Sequence, residues 1–483
     1  MAGVKVVMVS SEVAPFAKTG GLGDVVGALP KYLRELGHDV RVFMPLYSAI
    51  DTSKGTFAAV GSPMNVRLGQ SHYTLRLFTV DTHPGMYFVH CPELYHRASL
   101  YTNDPDEHRR FLALCWGALH ACQALGFAPD VVHCHDWQTG LLPLTLKTAF
   151  AWDRLFAKTK TLMTIHNLNY QGAFPAATLA DTNLEHNVQL FHQDQLNHPG
   201  GGRINYLLHG LLYAGAISTV SPTYAREIQT PEHGAHLDGF LRARHRTVFG
   251  ILNGVDYDEW SPDIDKHLAA RYSPADPSGK RACKKALLEG LGLPYIDGVP
   301  VVGIVSRLAS QKGFELLADV VPDMLRRHGF QLVVLGSGEP RLQDMFTHMQ
   351  HAFPKQVCFY RGFSNPLAHM IEAGSDMFLM PSRYEPCGLN QMYSLRYGTP
   401  PIVHRTGGLA DTVRPWQAQK RQGTGFVFDH HTSVGLRWAL ESALAAYRDH
   451  DGWRQLVLNG MAEDFSWSSS ARLYETLYSR LDA

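Results

Sequence analysis

At 483 residues, with 45% apolar and 18% charged side chains, the chain is too long for one hydrophobic core and has the make-up of ordinary globular domains. Lysine plus arginine equals aspartate plus glutamate at 44 each, which excludes the basic footprint of a nucleic-acid binder; a polymer partner, if the chain has one, should be neutral. No apolar run reaches membrane-spanning length, no cleavable leader precedes the first strand, and the seven cysteines form no Cys-x-x-Cys pair, which together point to a reducing, cytoplasmic compartment.

Apolar runs then alternate with helical stretches, as in parallel sheets covered on both faces. Residues 4–10 form the first expected strand, ending at Ser10-Ser11-Glu12. Lys18-Thr19-Gly20-Gly21-Leu22 follows, ahead of a helix over residues 23–36 that Gly37 stops. A glycine-rich turn between strand and helix aims main-chain amides and the positive helix end at a ligand, and phosphate is the anion that fits. The turn is neither a GxGxxG fingerprint nor a P-loop. Residues 40–44 are the next strand, and residues 57–60, 66–68, 73–80 and 86–89 read as a β-rich insertion.

Strand 130–133 leads to His135-Asp136-Trp137, and strand 161–165 leads to His166-Asn167. Both clusters lie past the carboxyl ends of strands, where open α/β sheets bind ligands. The alternative is that they cap local backbone. His133-Cys134-His135-Asp136 lacks the second His/Cys pair that a metal site needs. The polar, histidine-containing segment 181–202, ending in Gly200-Gly201-Gly202, reads as a mobile loop. Strand 216–220 closes this first series.

A second α/β series starts after a proline-rich stretch, with the boundary near residues 245–255, at or just before Asn253-Gly254-Val255-Asp256. Strand 301–305 is followed by Ser306-Arg307-Leu308-Ala309-Ser310-Gln311-Lys312-Gly313. Two cations between a strand and a helix suit a diphosphate, the arginine as a planar fork and the lysine as a point charge; a solvated basic turn is the alternative. Strand 331–335 comes next. Strand 377–380 enters Pro381-Ser382-Arg383-Tyr384-Glu385-Pro386-Cys387-Gly388-Leu389, where a carboxylate can accept from sugar hydroxyls and amides can meet phosphate. Strand 401–403 leads to Arg405-Thr406-Gly407-Gly408-Leu409, which repeats the first pentapeptide with arginine for lysine. Over residues 467–481, Leu473, Leu477 and Leu481 share one helix face.

Taken together and in this order, Lys-Thr-Gly-Gly-Leu at 18–22, His-Asp-Trp at 135–137, His-Asn at 166–167, Val-Ser-Pro-Thr-Tyr-Ala at 220–225, Asn-Gly-Val-Asp at 253–256, Ser-Arg-Leu at 306–308, Gln-Lys-Gly at 311–313, Glu-Pro-Cys-Gly-Leu at 385–389 and Arg-Thr-Gly-Gly-Leu at 405–409 resemble one family. It is the bacterial glycogen synthase and plant starch synthase family, retaining glucosyltransferases of the GT-B fold, and the resemblance covers essentially the whole chain. It implies an α/β fold of two Rossmann-like, doubly wound domains facing a central cleft. Residues 1–248 would form the acceptor-side domain, 249–463 the donor-nucleotide domain, and 464–483 a helix crossing back to the first.

The implied reaction moves an α-glucosyl group from ADP-glucose to the non-reducing 4-hydroxyl of an α-1,4-glucan such as glycogen, with retention, no metal and no cofactor. On the matching positions, Arg307 and Lys312 would neutralise the departing diphosphate and Glu385 would hold the donor glucose. Asp136 and His166 would lie on the glucose and acceptor side, with Tyr95 near them. Lys18, Gly20, Gly21 and Asp24 would line the phosphate side, and Asn253, Cys387, Gly388, Leu389, Thr406 and Gly407 the donor site. The two halves are expected to meet over the donor only when the cleft closes about hinges near 245–255 and 464–468.

Five residues depart from the family pattern: Tyr393 where other branches carry a second glutamate, Asn390 for threonine, Phe363 for tyrosine, and Leu208-His209 for Lys-Gly. The rival classes are a glycan phosphorylase, which needs a lysine bound to pyridoxal phosphate, and a silent glucan- or nucleotide-binding regulator. Lys18, Arg307, Lys312 and Glu385 together count against the regulator.

Overall fold

A computed structural model describes residues 3–481, which divide into two compact units. The first gathers the chain up to Val220, Ala225–Leu252 and the stretch from Trp467 onward; the second comprises Ser221–Tyr224 and Asn253–Ser466.

The first unit contains strands β1 (Lys5–Val9), β2 (Asp39–Pro45), β3 (Phe57–Leu68), β4 (Ser71–Val80), β5 (Met86–His90), β6 (Val131–His135), β7 (Lys160–Ile165), the small hairpin β8 (Ala173–Pro175) and β9 (Arg203–Asn205), then β10 (Ala216–Thr219) and β11 (Val248–Gly250). Nine of them make one sheet in the order β11-β10-β7-β6-β1-β2-β5-β4-β3. From β11 to β5 all neighbours are parallel, and β4 runs antiparallel to β5 and β3. Val6, Val7, Met8 and Val9 are all buried, and because successive side chains point to opposite faces, both faces of the sheet are covered. The insertion is an extension of this sheet. Where the sequence suggests two strands over 57–68 there is one, with a register shift between Val60 and Met64.

In the second unit, β12 (Val301–Leu308), β13 (Gln331–Gly338), β14 (Val357–Arg361), β15 (Met377–Met380), β16 (Pro401–His404) and β17 (Phe426–Phe428) form an all-parallel sheet in the order β14-β13-β12-β15-β16-β17. β12 runs past its expected end because Ser306, Arg307 and Leu308 keep pairing with Gly336, Ser337 and Gly338. Arg307 therefore sits on the strand, not in the turn after it. The apolar pattern does not mark the two edge strands, β14 and β17: one mixes polar with apolar residues and the other has three residues.

Each sheet has one point where the winding reverses. In the first, the chain goes from β1 outward to β2 and β5, then returns to β6 on the other side of β1. In the second, β12 leads to β13 and β14, then β15 lies on its other side. The loops leaving such a strand pair diverge and open a crevice at the carboxyl edge. The loops in question are those after β1 and β6, and those after β12 and β15.

Two further expectations change. Segment 181–202 is a run of short helices, Ala176–Thr182, Glu185–Leu190 and Gln193–Leu196, rather than an open loop. It is anchored by Asp181, which accepts from Arg109 Nε at 2.8 Å and faces His108 Nε2 at 2.7 Å. The helix Trp467–Leu481 buries Trp467, Ser470, Ala471, Tyr474, Leu477 and Tyr478, while Leu473 is 53% exposed. Its inward face is aromatic, turned by about one residue from the leucine stripe.

Candidate active site

At the second crevice, the turn Ser310–Lys312 places Lys312 Nζ 2.6 Å from Glu385 Oε2. Ser382 Oγ donates to the same oxygen at 2.9 Å. The two side chains are 18% and 7% exposed, so the pair is held in a largely dry setting. Arg307 is exposed and, among the described residues, has no carboxylate within ion-pair reach. One cation thus neutralises Glu385 and the other remains available to an anion. The turn is fixed from outside: Ser310 donates its N–H and hydroxyl to Glu339, and Arg383 N–H donates to the Gln311 carbonyl at 2.9 Å.

The 385–389 turn is braced from below by the second glycine pair. Gly407 has φ +43°, and a Cβ there would overlap the Glu385 carbonyl; one on Gly408 would overlap the Cys387 carbonyl. Gly408 N–H donates to the Glu385 carbonyl at 3.1 Å. Thr406 is buried beside them. Burial pushes the Cys387 thiol up to about 12, while an Asn253 main-chain N–H pulls the other way. Cys387 is therefore a neutral thiol, and Asn253 touches it. Gly388, with φ +72°, and Leu389 carry the chain into the helix Asn390–Arg396.

At the first crevice the expectation of free amides in the Lys18–Leu22 loop is corrected. Glu12, 3% exposed, accepts from Thr19 N–H at 2.5 Å, Thr19 Oγ1 at 2.6 Å, Gly20 N–H at 3.3 Å and Tyr101 Oη at 2.5 Å. A carboxylate of the protein already fills that nest. The helix starts at Gly21, two residues earlier than its pattern suggests. Gly20 and Gly21 contribute room: among the described residues nothing lies within 4 Å of where a Cβ would stand on either. Lys18 pairs with Asp24 at 2.6 Å. The sequence offers one cue to Glu12, an acid at a strand end ahead of a glycine turn.

Asp136, just past β6, has φ 57° and ψ −173°, a conformation that costs a non-glycine residue of order 1–3 kcal/mol. Its carboxylate accepts from His166 N–H at 2.7 Å and from the Asn167 amide. Burial pushes its pKa up to about 7, those amides pull it down, and the Glu12 charge adds a smaller upward push. Burial lowers His166 to about 3, so the ring is neutral. Tyr95 does not join them: it is fully buried, and its hydroxyl donates to the Arg110 carbonyl at 2.9 Å. Its ring packs in the core, edge-on to Tyr47, with no surface left for a ligand. Among the described residues no His/Cys/Asp/Glu cluster has a metal-holding arrangement.

Residues 5–243 match the starch synthase catalytic domain profile, and residues 294–455 match glycosyl transferases group 1. The chain is 45% identical to the glycogen synthase of Syntrophotalea carbinolica over 98% of both chains. It is 46% identical to that of an Anaeromyxobacter species over 99% of this chain and 100% of the relative. The chain belongs to the glycogen and starch synthase family. The catalytic domain of starch synthase IV from Arabidopsis thaliana, solved bound to ADP and acarbose, matches with a TM-score of 0.93 at 35% identity, over 100% of both chains. The fold is GT-B, and this is a glucosyltransferase. Sucrose-phosphate synthase from Thermosynechococcus elongatus, 16% identical with a TM-score of 0.62 over 99% of each chain, shares the fold.

The departures from the family pattern have physical settings here. Asn390 Nδ2 donates to the Val305 carbonyl at 2.7 Å and ties its helix to β12. Tyr393 stacks on Trp260 with centroids 3.9 Å apart and an interplanar angle of 2°, and Trp260 stacks on His369 at 3.7 Å. An aromatic pile thus occupies the position where other branches carry a second glutamate. Phe363 is 80% exposed. His209 is buried, with Nδ1 against the Asn205 carbonyl at 2.6 Å and Nε2 accepting from His192 N–H at 3.1 Å. It is a structural residue here.

Proposed function

We propose that this chain is a cytoplasmic glycogen (starch) synthase that transfers an α-glucosyl group from ADP-glucose to the non-reducing 4-hydroxyl of an α-1,4-glucan, with retention. The observation that carries the reading is the Lys312–Glu385 pair at the reversal point of the second sheet, with the exposed Arg307, on the strand that leads to it, having no acidic partner among the described residues. Arg307 and Lys312 meet the diphosphate. Glu385, one oxygen held by Lys312 and Ser382, offers the other to the donor glucose hydroxyls. Asp136 and His166 take the glucose and the acceptor end.

The anomeric C–O bond breaks with its electron pair leaving on the diphosphate. The acceptor 4-oxygen attacks the same face, and its proton passes to the departing phosphate oxygen. Charge develops on the leaving group only in the transition state, so fixed cations there act mainly on kcat. No metal is needed in this scheme, because the two cations meet the leaving charge. Cys387, a neutral thiol, contributes contact rather than nucleophilic attack.

The test is transfer of radiolabelled glucose to glycogen. Incorporation from ADP-glucose, undiminished by EDTA, is expected. Comparable kcat/KM with UDP-glucose would overturn the donor assignment, and activity abolished by EDTA and restored by magnesium would overturn metal independence.

A further inference from the structure

A chain of buried polar groups runs through the first unit from its C-terminal helix to His166. Tyr478 Oη lies 2.9 Å from His133 Nδ1, and His133 Nε2 lies 2.6 Å from Thr164 Oγ1. The His133 ring packs on His135 with centroids 4.1 Å apart. His135 Nδ1 lies 3.0 Å from His166 Nε2. Tyr478, His133 and His135 are fully buried and His166 is 8% exposed. Burial lowers His133 and His166 to about 3 and also pushes His135 well below the ordinary imidazole range, so all three rings are neutral through the physiological range.

A hydrogen bond between two neutral imidazoles needs one N–H and one lone pair. The other nitrogen of His135, Nε2, is buried and has no partner among the described residues. A buried N–H without a partner is rarer than a buried lone pair without one, and a lost donor costs its desolvation. The proton of His135 therefore belongs on Nδ1, in the bond, and Nε2 carries the lone pair.

We propose that His135 is a positioning residue that donates Nδ1–H to Nε2 of His166 and so fixes His166 as the Nδ1–H tautomer. His166 then presents a hydrogen-bond donor, suited to a sugar oxygen; the opposite tautomer would present an acceptor to a sugar hydroxyl. The inference rests on the reading of His166 as a substrate-facing group. The fused path through His133 and Tyr478 packs the ring of His135 in place.

The wild-type protein, labelled with 15N-histidine, reports the tautomer directly, with the His166 signals assigned by their loss in His166→Gln. An Nδ1–H His166 is expected, and an Nε2–H His166 overturns the proposal even if no His135 variant folds. In transfer assays, His135→Phe keeps the ring packing against His133 but not the donor, and kcat falls about tenfold or more with KM nearly unchanged. His135→Asn, whose amide can donate from the place of Nδ1, recovers most of that loss. In a His166→Ala background, His135→Phe adds nothing further; an equal further loss would mean a purely structural role and overturn the proposal. Wild-type kcat in His166→Ala itself would sink the substrate-facing reading of His166, an outcome distinct from an Nε2–H result, which sinks this proposal alone.

Discussion

The pentapeptides Lys18–Leu22 and Arg405–Leu409 are near copies in sequence and do different physical work. In the first, a Cβ on Gly20 or Gly21 would meet nothing among the described residues, and the amides of Thr19 and Gly20 are bound to Glu12. In the second, a Cβ on Gly407 or Gly408 would collide with the carbonyls of Glu385 and Cys387. The cations, unlike the glycines, sit alike: Lys18 leans on Asp24 and Arg405 on Asp429. A glycine pair therefore announces that something comes close to the main chain, but not what. In the first loop it leaves open room, and in the second it lets two stretches of backbone touch so that Glu385 is held.

If the second loop exists to brace Glu385, the largest effects should come from the groups around that carboxylate. Lys312→Ala should lower kcat by about 10²–10³, since on the proposed reading it removes a transition-state cation, and it strands a mostly buried carboxylate. Arg307→Ala should lower kcat comparably while leaving the thermal midpoint unchanged, because Arg307 is exposed and makes no ion pair among the described residues. Equal midpoint shifts in both variants would erase the distinction drawn between the two cations.

Gly408→Ala should destabilise the protein by about 1–3 kcal/mol through overpacking against the Cys387 carbonyl, read by calorimetry. An unchanged unfolding midpoint would break the comparison outright.

Asp136 sharpens it from the first crevice. Its folded pKa is raised from 3.8 to about 7, chiefly by burial. Ionising it thus costs the folded state. Its contribution to stability is fully present below the unfolded value, is lost as pH rises from about 4 to 7, and is flat above. With the ionised form active, kcat/KM should rise through pH 7, and Asp136→Asn should abolish that limb; a limb that survives belongs to another group. The smallest effect belongs to Gly20→Ala, with stability within about 0.5 kcal/mol of the parent because the added methyl meets open space. Its KM for ADP-glucose should rise as that space is filled, whereas an unaltered KM would mean that no ligand approaches there.

Much of the fold was legible because it is written locally. Apolar runs of strand length mark most of the parallel strands, and polar residues such as Glu385, Lys312, Asp136 and His166 are placed by the pattern just past strand ends. What escaped was set by neighbours. β12 continues through Arg307 only because β13 offers a pairing partner, and the C-terminal helix buries Tyr474 and Tyr478 rather than Leu473. Tyr95, which the resemblance puts near Asp136 and His166, lies in the core because of the neighbours packed around it.

The sequence by itself determined the alternation of strand and helix, the two glycine turns and the inventory of polar groups at the carboxyl edges, since each depends on residues adjacent along the chain. Only the tertiary structure decided what each polar group bonds to. Glu12 meets Tyr101 across 89 residues, Lys312 meets Glu385 across 73, and His133 meets Tyr478 across 345. The physical reason is that a buried carboxylate or imidazole takes its charge state and its role from the donors and charges packed around it, and at these sites those come from distant parts of the chain.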